Sequence, residues 1–522
     1  MLVNSLRFFL TALVLGPAMA GAVPGFAAPE RPNIVVIYTD DQGYGDAGCL
    51  NSKAKFQTPA IDSLAADGIA FTNAHSADTV CTPSRYGLLT GRYCWRTSRK
   101  TGVMGAEGEC LIAAGRVTLA SLLKDRGYQT AMVGKWHLGM TFPGKPGRRD
   151  WTQPVVDMPL DKGFGYFYGI PASLNYGVLA WFEGRHAKVP PTVFTAKKPN
   201  DRHVDYRIMP PYQATPQDTK RVLGKIGMEV APDFVDNQCL TRFTDTAIQW
   251  MTAHAEDARN GTPFFLYLPL TSPHYPVCPL PEFHGRGECG GYGEFMIETD
   301  HHVGRLLAFL KSSGLAENTM VVFTSDNGPE NSWKQRISDF GHHSNGIYRG
   351  GKRDIYEGGH RVPFFVRWPA GIADPGRTCE QLIGQVDLLA TVADLTGDPL
   401  PPDAGEDSQS FAAVLRDPAS DHERLPLINH GASGRFAVTD GTWKLILPHR
   451  KLTSELYDLA TDPGETQNVV DQHPELVRTL QESLTNIVKN GRTTPGPAQA
   501  NDTGWWDDLT WISPADLPAD RR

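Results

Sequence analysis

The chain has 522 residues, with 50 Lys plus Arg against 58 Asp plus Glu and a formal charge of −8. Hydrophobic residues make up 40% and charged residues 21%, an ordinary globular balance that excludes a disordered chain and gives no sign of a multi-span membrane protein. The acidic total also argues against a general nucleic-acid binder, which needs a basic surface to displace counterions.

The chain opens on a processing signal. Arg7 supplies a positive charge, Phe8 to Leu15 form a short apolar run, and Gly16 and Pro17 break it. Small residues follow at Ala18 and Ala20, and again at Ala27 and Ala28. This pattern predicts a signal peptide over residues 1–28, cut near 20 or 28, and export to a periplasmic or extracellular space. The run is too short for stable membrane insertion. Eight cysteines suit an oxidising compartment, and Cys94–Cys110 and Cys278–Cys289 are candidate pairs.

Asn33 to Tyr38 (NIVVIY) reads as a buried central strand, with comparable runs at Phe264 to Leu268, Met320 to Phe323 and Pro363 to Val366. Helical stretches lie between them, including Pro59 to Asp67, Leu119 to Arg126 and Glu294 to Leu310. Alternation of this kind predicts an α/β fold, a mainly parallel, doubly wound sheet flanked by helices, over residues 29–402. Ligands of such sheets collect beyond the carboxyl ends of the strands. Polar residues stand there: Asp40-Asp41, His274 and Asp326-Asn327.

Residues 141–225 interrupt the alternation with Pro, Gly, aromatic and basic residues, 13 Lys plus Arg against 7 Asp plus Glu. They read either as a solvated insertion or as a wall that recognises an anionic substrate. A Pro/Asp/Gly-rich stretch from Pro399 to Asp407 marks a boundary. Beyond it, residues 403–522 predict a smaller C-terminal subdomain with an antiparallel sheet. Its signals are a hairpin over Arg435 to Leu447, turning at Asp440-Gly441, and a helix from Pro474 to Lys489.

Several residues carry chemistry by type and place. Asp40 and Asp41 repel one another unless a cation holds them, although a turn or helix cap also uses paired aspartates. Asp326-Asn327 adds a carboxylate and an amide oxygen at another strand end, and an all-oxygen set suits Ca²⁺ or Mg²⁺ better than zinc. Cys81, in CTPSR, opens a helix, a position that lowers a thiol pKa and favours anions. Buried structural cysteine is the alternative.

CTPSR followed by LLTGR resembles the signature of the type I, formylglycine-dependent sulfatases of the alkaline-phosphatase-like superfamily. The resemblance covers nearly the whole mature chain, from RPNIVVIYTDDQGYGD through GKWHLG, SPHYP, SDNGP and GGKRDIYEGGHRVPF to ELYDLATDPGE. It implies that a maturation enzyme oxidises Cys81 to formylglycine (3-oxoalanine), whose hydrate attacks sulfur. It implies that Asp40, Asp41, Asp326 and Asn327, with an oxygen of modified Cys81, hold Ca²⁺, with Mg²⁺ the second choice. Arg85 would steady the hydrate, and Lys135 and His137 would contact it and the sulfate. His274 and Lys352 would bind sulfate and assist protonation of the departing oxygen, and His137 would help expel sulfate afterwards. A divalent ion with Lys and Arg offsets the repulsion between a sulfate monoester and its nucleophile, which is what such chemistry requires.

Weaker candidates surround this set. His301 and His302 read as structural or solvent-facing, His360 and Arg361 as supports of the Lys352 loop, and His342 or His343 as a substrate contact. Trp181 and Tyr168 are candidates for stacking on sugars, and Arg185 for meeting a polymer's remaining charge. These favour a sulfated carbohydrate substrate, with galactose and N-acetylgalactosamine sulfates foremost. The alternatives are an arylsulfatase of broad specificity, a phosphonate monoester hydrolase or phosphodiesterase of the same superfamily, and a glycan-binding protein without catalysis.

Overall fold

A computed structural model describes residues 31–195, 228–397, 399–513 and 515. The expected signal peptide and the insertion from residue 196 onward lie outside the described residues. The strand Asn33–Asp40 is buried at all eight positions, so both of its faces are covered. That is why its sequence is a continuous apolar run and does not alternate. It pairs in parallel with Thr319–Ser325 on one side, Ile34 against Met320, and with Phe264–Pro273 on the other, Ile34 against Phe265. Gln129–Lys135 and then Tyr166–Ile170 continue the parallel set. The short strands Phe182–Glu183 and His186–Ala187 close that edge of a ten-stranded sheet as an antiparallel hairpin. On the opposite side Phe364–Arg367 runs antiparallel to Thr319–Ser325, followed by Ile69–Phe71 and Arg377–Cys379. The expected architecture, a mainly parallel sheet flanked by helices with a separate small antiparallel sheet, is what forms.

The register between Asn33–Asp40 and Phe264–Pro273 slips at the functional end: Tyr38 faces Pro269, but Asp40 faces Pro273. The longer strand therefore bulges, and a bulge re-aims the residues beyond it. His274 follows directly. The long helices Cys239–Arg259 and Gly290–Ser312 pack on Phe264–Pro273. Among the described residues no helix is long and apolar enough to cross a membrane.

The C-terminal sheet runs Leu427–His430, Phe436–Thr439, Trp443–Ile446, Glu455–Asp458, antiparallel throughout. Its central hairpin turns at Asp440-Gly441, where the Asp440 carboxylate accepts from the backbone N–H groups of Thr442 (2.9 Å) and Trp443 (2.7 Å). The helix Pro474–Asn490 lays Leu480, Leu484, Ile487 and Val488 on this sheet, an i, i+4, i+7 stripe. Tyr93 and Trp95 from the other side of the expected boundary enter the same core. The boundary stretch itself is pinned by buried Asp407, which takes Arg96 Nη2 at 2.7 Å. The two parts thus share an interface built on both apolar packing and buried charge.

Candidate active site

The carboxyl ends of three adjacent parallel strands deliver the acidic groups: Asp40 and Asp41 from one, Asp326 and Asn327 from its neighbour, and His274 from the bulged third. All five are buried. Asp41 takes a left-handed backbone (φ 66°), unusual for a non-glycine residue, so that consecutive carboxylates leave the strand end at different angles. Cys81 begins the helix Cys81–Thr90, with Val80 in extended conformation before it. One ligand atom each from Asp40, Cys81 and Asp326 lie within 4.8 Å of one another, as do atoms of Asp40, Asp41 and His274.

Three cations enclose this acidic floor. Arg85, one helical turn beyond Cys81, donates to Asp326 Oδ2 at 2.7 Å and to the Lys135 carbonyl at 3.1 Å, and lies 3.7 Å from Asp40 Oδ1. The Lys135 ammonium donates to Asp40 Oδ2. Lys352 donates to both Asp41 oxygens, at 2.6 and 2.8 Å. Burial alone would raise the Asp41 carboxyl; the Lys352 ammonium, with His274, holds it well below the usual carboxylate range. Asp326 goes the other way, pushed up to about 7 by burial and by facing Asp40. Burial and the Lys135 and Arg85 charges keep His137 neutral; burial and Lys352 depress His274 to about 3. Burial likewise raises the Cys81 thiol, against the opposing pull of Lys135 and Lys352. The helix terminus therefore does not make this cysteine an acidic thiol.

The donor set fits a hard divalent cation. Asp40 Oδ1 and Asn327 Oδ1 are fully buried yet have no hydrogen-bond partner, a costly condition unless something else binds them. Asn327 donates its amide to Asp41 Oδ1 at 2.8 Å, which leaves its oxygen as the free acceptor. Three carboxylates and an amide oxygen make an all-oxygen set of the kind calcium takes. His137 is oriented by two contacts. Its carbonyl accepts from Thr82 Oγ1 at 2.9 Å, and its Nε2 lies 2.8 Å from the Met104 carbonyl. A carbonyl only accepts, so Nε2 carries the proton, and buried Nδ1, without a partner, is left as a base.

Ten residues singled out from the sequence thus converge: Asp40, Asp41, Cys81, Arg85, Lys135, His137, His274, Asp326, Asn327 and Lys352. Of the four specificity candidates, Trp181 and Tyr168 are packed in the core. Trp181 is 1% exposed, stacked 6.3 Å from the Tyr168 ring and covered by Phe234 at 4.5 Å. Neither ring offers a face to a sugar, because Tyr168 and Trp181 stack on each other inside the core beside the edge hairpin of the sheet. Arg185 is bound to Asp161. His343 is exposed, while His342 is buried against Asp46 at 2.7 Å. None of the eight cysteines is in a disulfide, so neither suggested bond forms.

A second cluster with metal-ligand chemistry, His75, Glu357 and His360, already has its cation. Lys444 reaches Glu357 Oε1 at 3.0 Å, Glu465 Oε1 at 2.9 Å and His360 Nε2 at 2.9 Å. This is a brace behind the Lys352 loop, as expected for His360 and Arg361, the latter 2.7 Å from Glu357. Sequence reading missed Lys444 and Glu465, which sit in plain strand and turn patterns. It also missed Glu330, which takes Arg353 in two bonds of 2.6 and 2.8 Å beside Lys352. Lys444 and Glu330 carry no local pattern, and Glu465 closes the ELYDLATDPGE motif without a role being legible for it.

Residues 32–398 match the sulfatase family, and residues 345–490 match the C-terminal region of N-sulphoglucosamine sulphohydrolase. The chain is 34% identical over 493 residues to the N-acetylgalactosamine-6-O-sulfatase of Bacteroides thetaiotaomicron, covering 88% of this chain and 93% of that one. It is 34% identical over 504 residues to human arylsulfatase A, covering 91% of each. A solved structure of a Bacteroides thetaiotaomicron protein of glycosaminoglycan metabolism superposes with a TM-score of 0.75 at 32% identity, covering 88% of this chain and 99% of that one.

Proposed function

The chain belongs to the sulfatase family and is a sulfuric ester hydrolase, and from that premise we propose that it is exported and removes sulfate from a sulfated carbohydrate. Galactose and N-acetylgalactosamine sulfates are the favoured substrates, in keeping with the relative that acts on N-acetylgalactosamine 6-sulfate. Residues 29–402 carry the chemistry and residues 403–522 brace it. The observation that carries this reading is the meeting of two distant acidic pairs, Asp40-Asp41 and Asp326-Asn327, beside Cys81.

In this reading Asp40, Asp41, Asp326 and Asn327 would hold Ca²⁺, which would supply positive charge to offset that of the sulfate ester. Conversion of Cys81 by a maturation enzyme to formylglycine supplies, as the hydrate, an oxygen nucleophile with a second hydroxyl for release. Arg85 fixes the floor by bridging Asp326 and the Lys135 carbonyl. Lys135 and Lys352 remain as cations beside Asp40 and Asp41 and neutralise the incoming anion. His274 Nε2 and Lys352 Nζ both approach Asp41, at 3.7 and 2.6 Å, so they stand on one side of the site, where the Lys352 ammonium serves the departing alcohol oxygen and neutral His274 lines the sulfate position. His137 Nδ1 is the base that takes a proton when sulfate leaves.

The mass of the peptide spanning Cys81 tests the conversion: an unmodified thiol in fully active enzyme would refute it. Turnover of 6-sulfated N-acetylgalactosamine, an aryl sulfate and an aryl phosphate diester, compared in wild type and Cys81→Ala, tests the reaction. Sulfate release from the sugar that disappears in the variant is the expected result. A variant that keeps turnover would remove the nucleophile assignment.

A further inference from the structure

With Trp181 and Tyr168 inside the core, the aromatic surface near the site has another source. Tyr176 places its ring 5.4 Å from that of His137, and Tyr275 stacks 4.5 Å from that of His274 at an interplanar angle of 25°. Both tyrosines are partly exposed, whereas His137, His274, Lys135 and Lys352 are buried, so the tyrosines stand nearer solvent than the groups they touch. The same two cations act on both: Tyr176 lies in the field of Cys81, Lys352, Arg353 and Asp40, and Tyr275 in that of Lys352, Glu330, Asp41 and Arg353. Tyr176 thus stands against His137 and Tyr275 against His274, and Asn175, the neighbour of Tyr176, is hydrogen-bonded to Tyr275. Asn175 donates its amide to the Tyr275 hydroxyl at 3.2 Å, and its own Oδ1, on a residue only 8% exposed, has no partner. A hydroxyl-bearing ligand would satisfy it.

We infer that Tyr176 and Tyr275 form the subsite for the sugar that carries the scissile sulfate. Tyr176 offers its ring to the apolar face of the pyranose. Tyr275, oriented by Asn175, presents its hydroxyl to a ring hydroxyl beside the ester. Apolar body with polar tip is what a sugar face and edge require together. The sulfate itself stays with the buried cations, so sugar and sulfate are read by different residues. This inference rests on the carbohydrate reading above.

The matured, calcium-loaded enzyme and its Tyr176→Ala and Tyr275→Phe variants would be compared on 6-sulfated N-acetylgalactosamine, with inorganic sulfate as inhibitor. Tyr176→Ala is expected to raise KM about tenfold, the scale of a lost ring contact. Tyr275→Phe, which removes only the hydroxyl, is expected to raise it about threefold. The inhibition constant of inorganic sulfate should stay within about twofold of wild type in both, because the sulfate site is untouched. Unchanged KM in both variants overturns the subsite and leaves the carbohydrate reading standing. Equal weakening of sugar and sulfate also overturns it, since the tyrosines would then be shaping the sulfate site. A wild-type enzyme that hydrolyses aryl sulfate but no sugar sulfate overturns the carbohydrate reading and this subsite together.

Discussion

Arg85 is the residue on which the acidic floor depends most. Its side chain is fully buried between two carboxylates, 2.7 Å from Asp326 and 3.7 Å from Asp40. Facing Asp40, Asp326 already sits at about 7, so the pair is short of positive charge even with Arg85 present. Removing one partner of a buried charge group costs about 3–5 kcal/mol, because the others are left uncompensated. Arg85→Met is therefore expected to lower stability by that amount in urea denaturation. Calcium should restore part of it, since the ion would supply charge at the same carboxylates. Arg85→Lys should recover less than wild type, because one ammonium cannot serve both Asp326 and the Lys135 carbonyl. An equal loss with and without calcium would count against Asp40 and Asp326 as joint ligands.

At the level of elements, the strands that carry the acids were legible because they are buried on both faces, and a run such as NIVVIY has few other uses. Gln129–Lys135, which delivers Lys135, was not legible as a strand: QTAMVGK is short of β-branched residues and contains a glycine. The structure gives the reason. Gly134 has φ 136°, and a Cβ there would lie 2.0 Å from the Pro269 carbonyl oxygen of the bulged strand. The glycine permits the close approach that aligns Lys135 and His137 with His274. Gly134→Ala is expected to cost about 1–3 kcal/mol by overpacking, read from the urea midpoint, and to depress turnover through misplacement of Lys135. The motif residues of the site were legible because their types are chemically demanding and follow strand ends. Trp181 and Tyr168 misled for the opposite reason: in a loop-like, basic stretch an aromatic looks exposed, and only the edge hairpin Phe182–Ala187 shows that they are interior. Tyr275 stands inside SPHYP and Tyr176 in none of the motifs, and neither carries a signal that separates it from core aromatics.

Across the whole molecule, the C-terminal sheet is tied to the catalytic part by a buried charge network. Lys444, on a strand of that sheet, ties Glu465 of the following turn to Glu357 and His360 of the catalytic part, just after the Lys352 loop. His360 Nδ1 lies 2.9 Å from Nδ1 of His75, which ends the short strand Ala74–His75 before the Cys81 helix. Burial depresses His75 to about 3, with Arg361, Lys444 and Arg424 adding to the effect and Glu357 opposing it; His360 is depressed likewise. A histidine whose folded pKa is lowered contributes stability that is full above pH 6.5. It is lost as pH falls toward about 3, because the unfolded chain takes the proton that the fold refuses. The loss is about 1.4 kcal/mol per pH unit for each such group. Raised carboxyls such as Glu465, at about 7, pull in the opposite direction, so the total slope hides the contribution. Comparison with His75→Gln isolates it: between pH 6 and pH 4 wild type should lose stability faster than the variant by about 1.4 kcal/mol per unit. Denaturant titrations at several pH values would measure this, and parallel slopes would mean that His75 accepts its proton inside the fold. The same titrations on Lys444→Met should show a loss of about 3–5 kcal/mol at neutral pH, because Glu357 would then keep only Arg361. That loss should shrink on acidification, as Glu465 takes up the proton that replaces the missing ammonium.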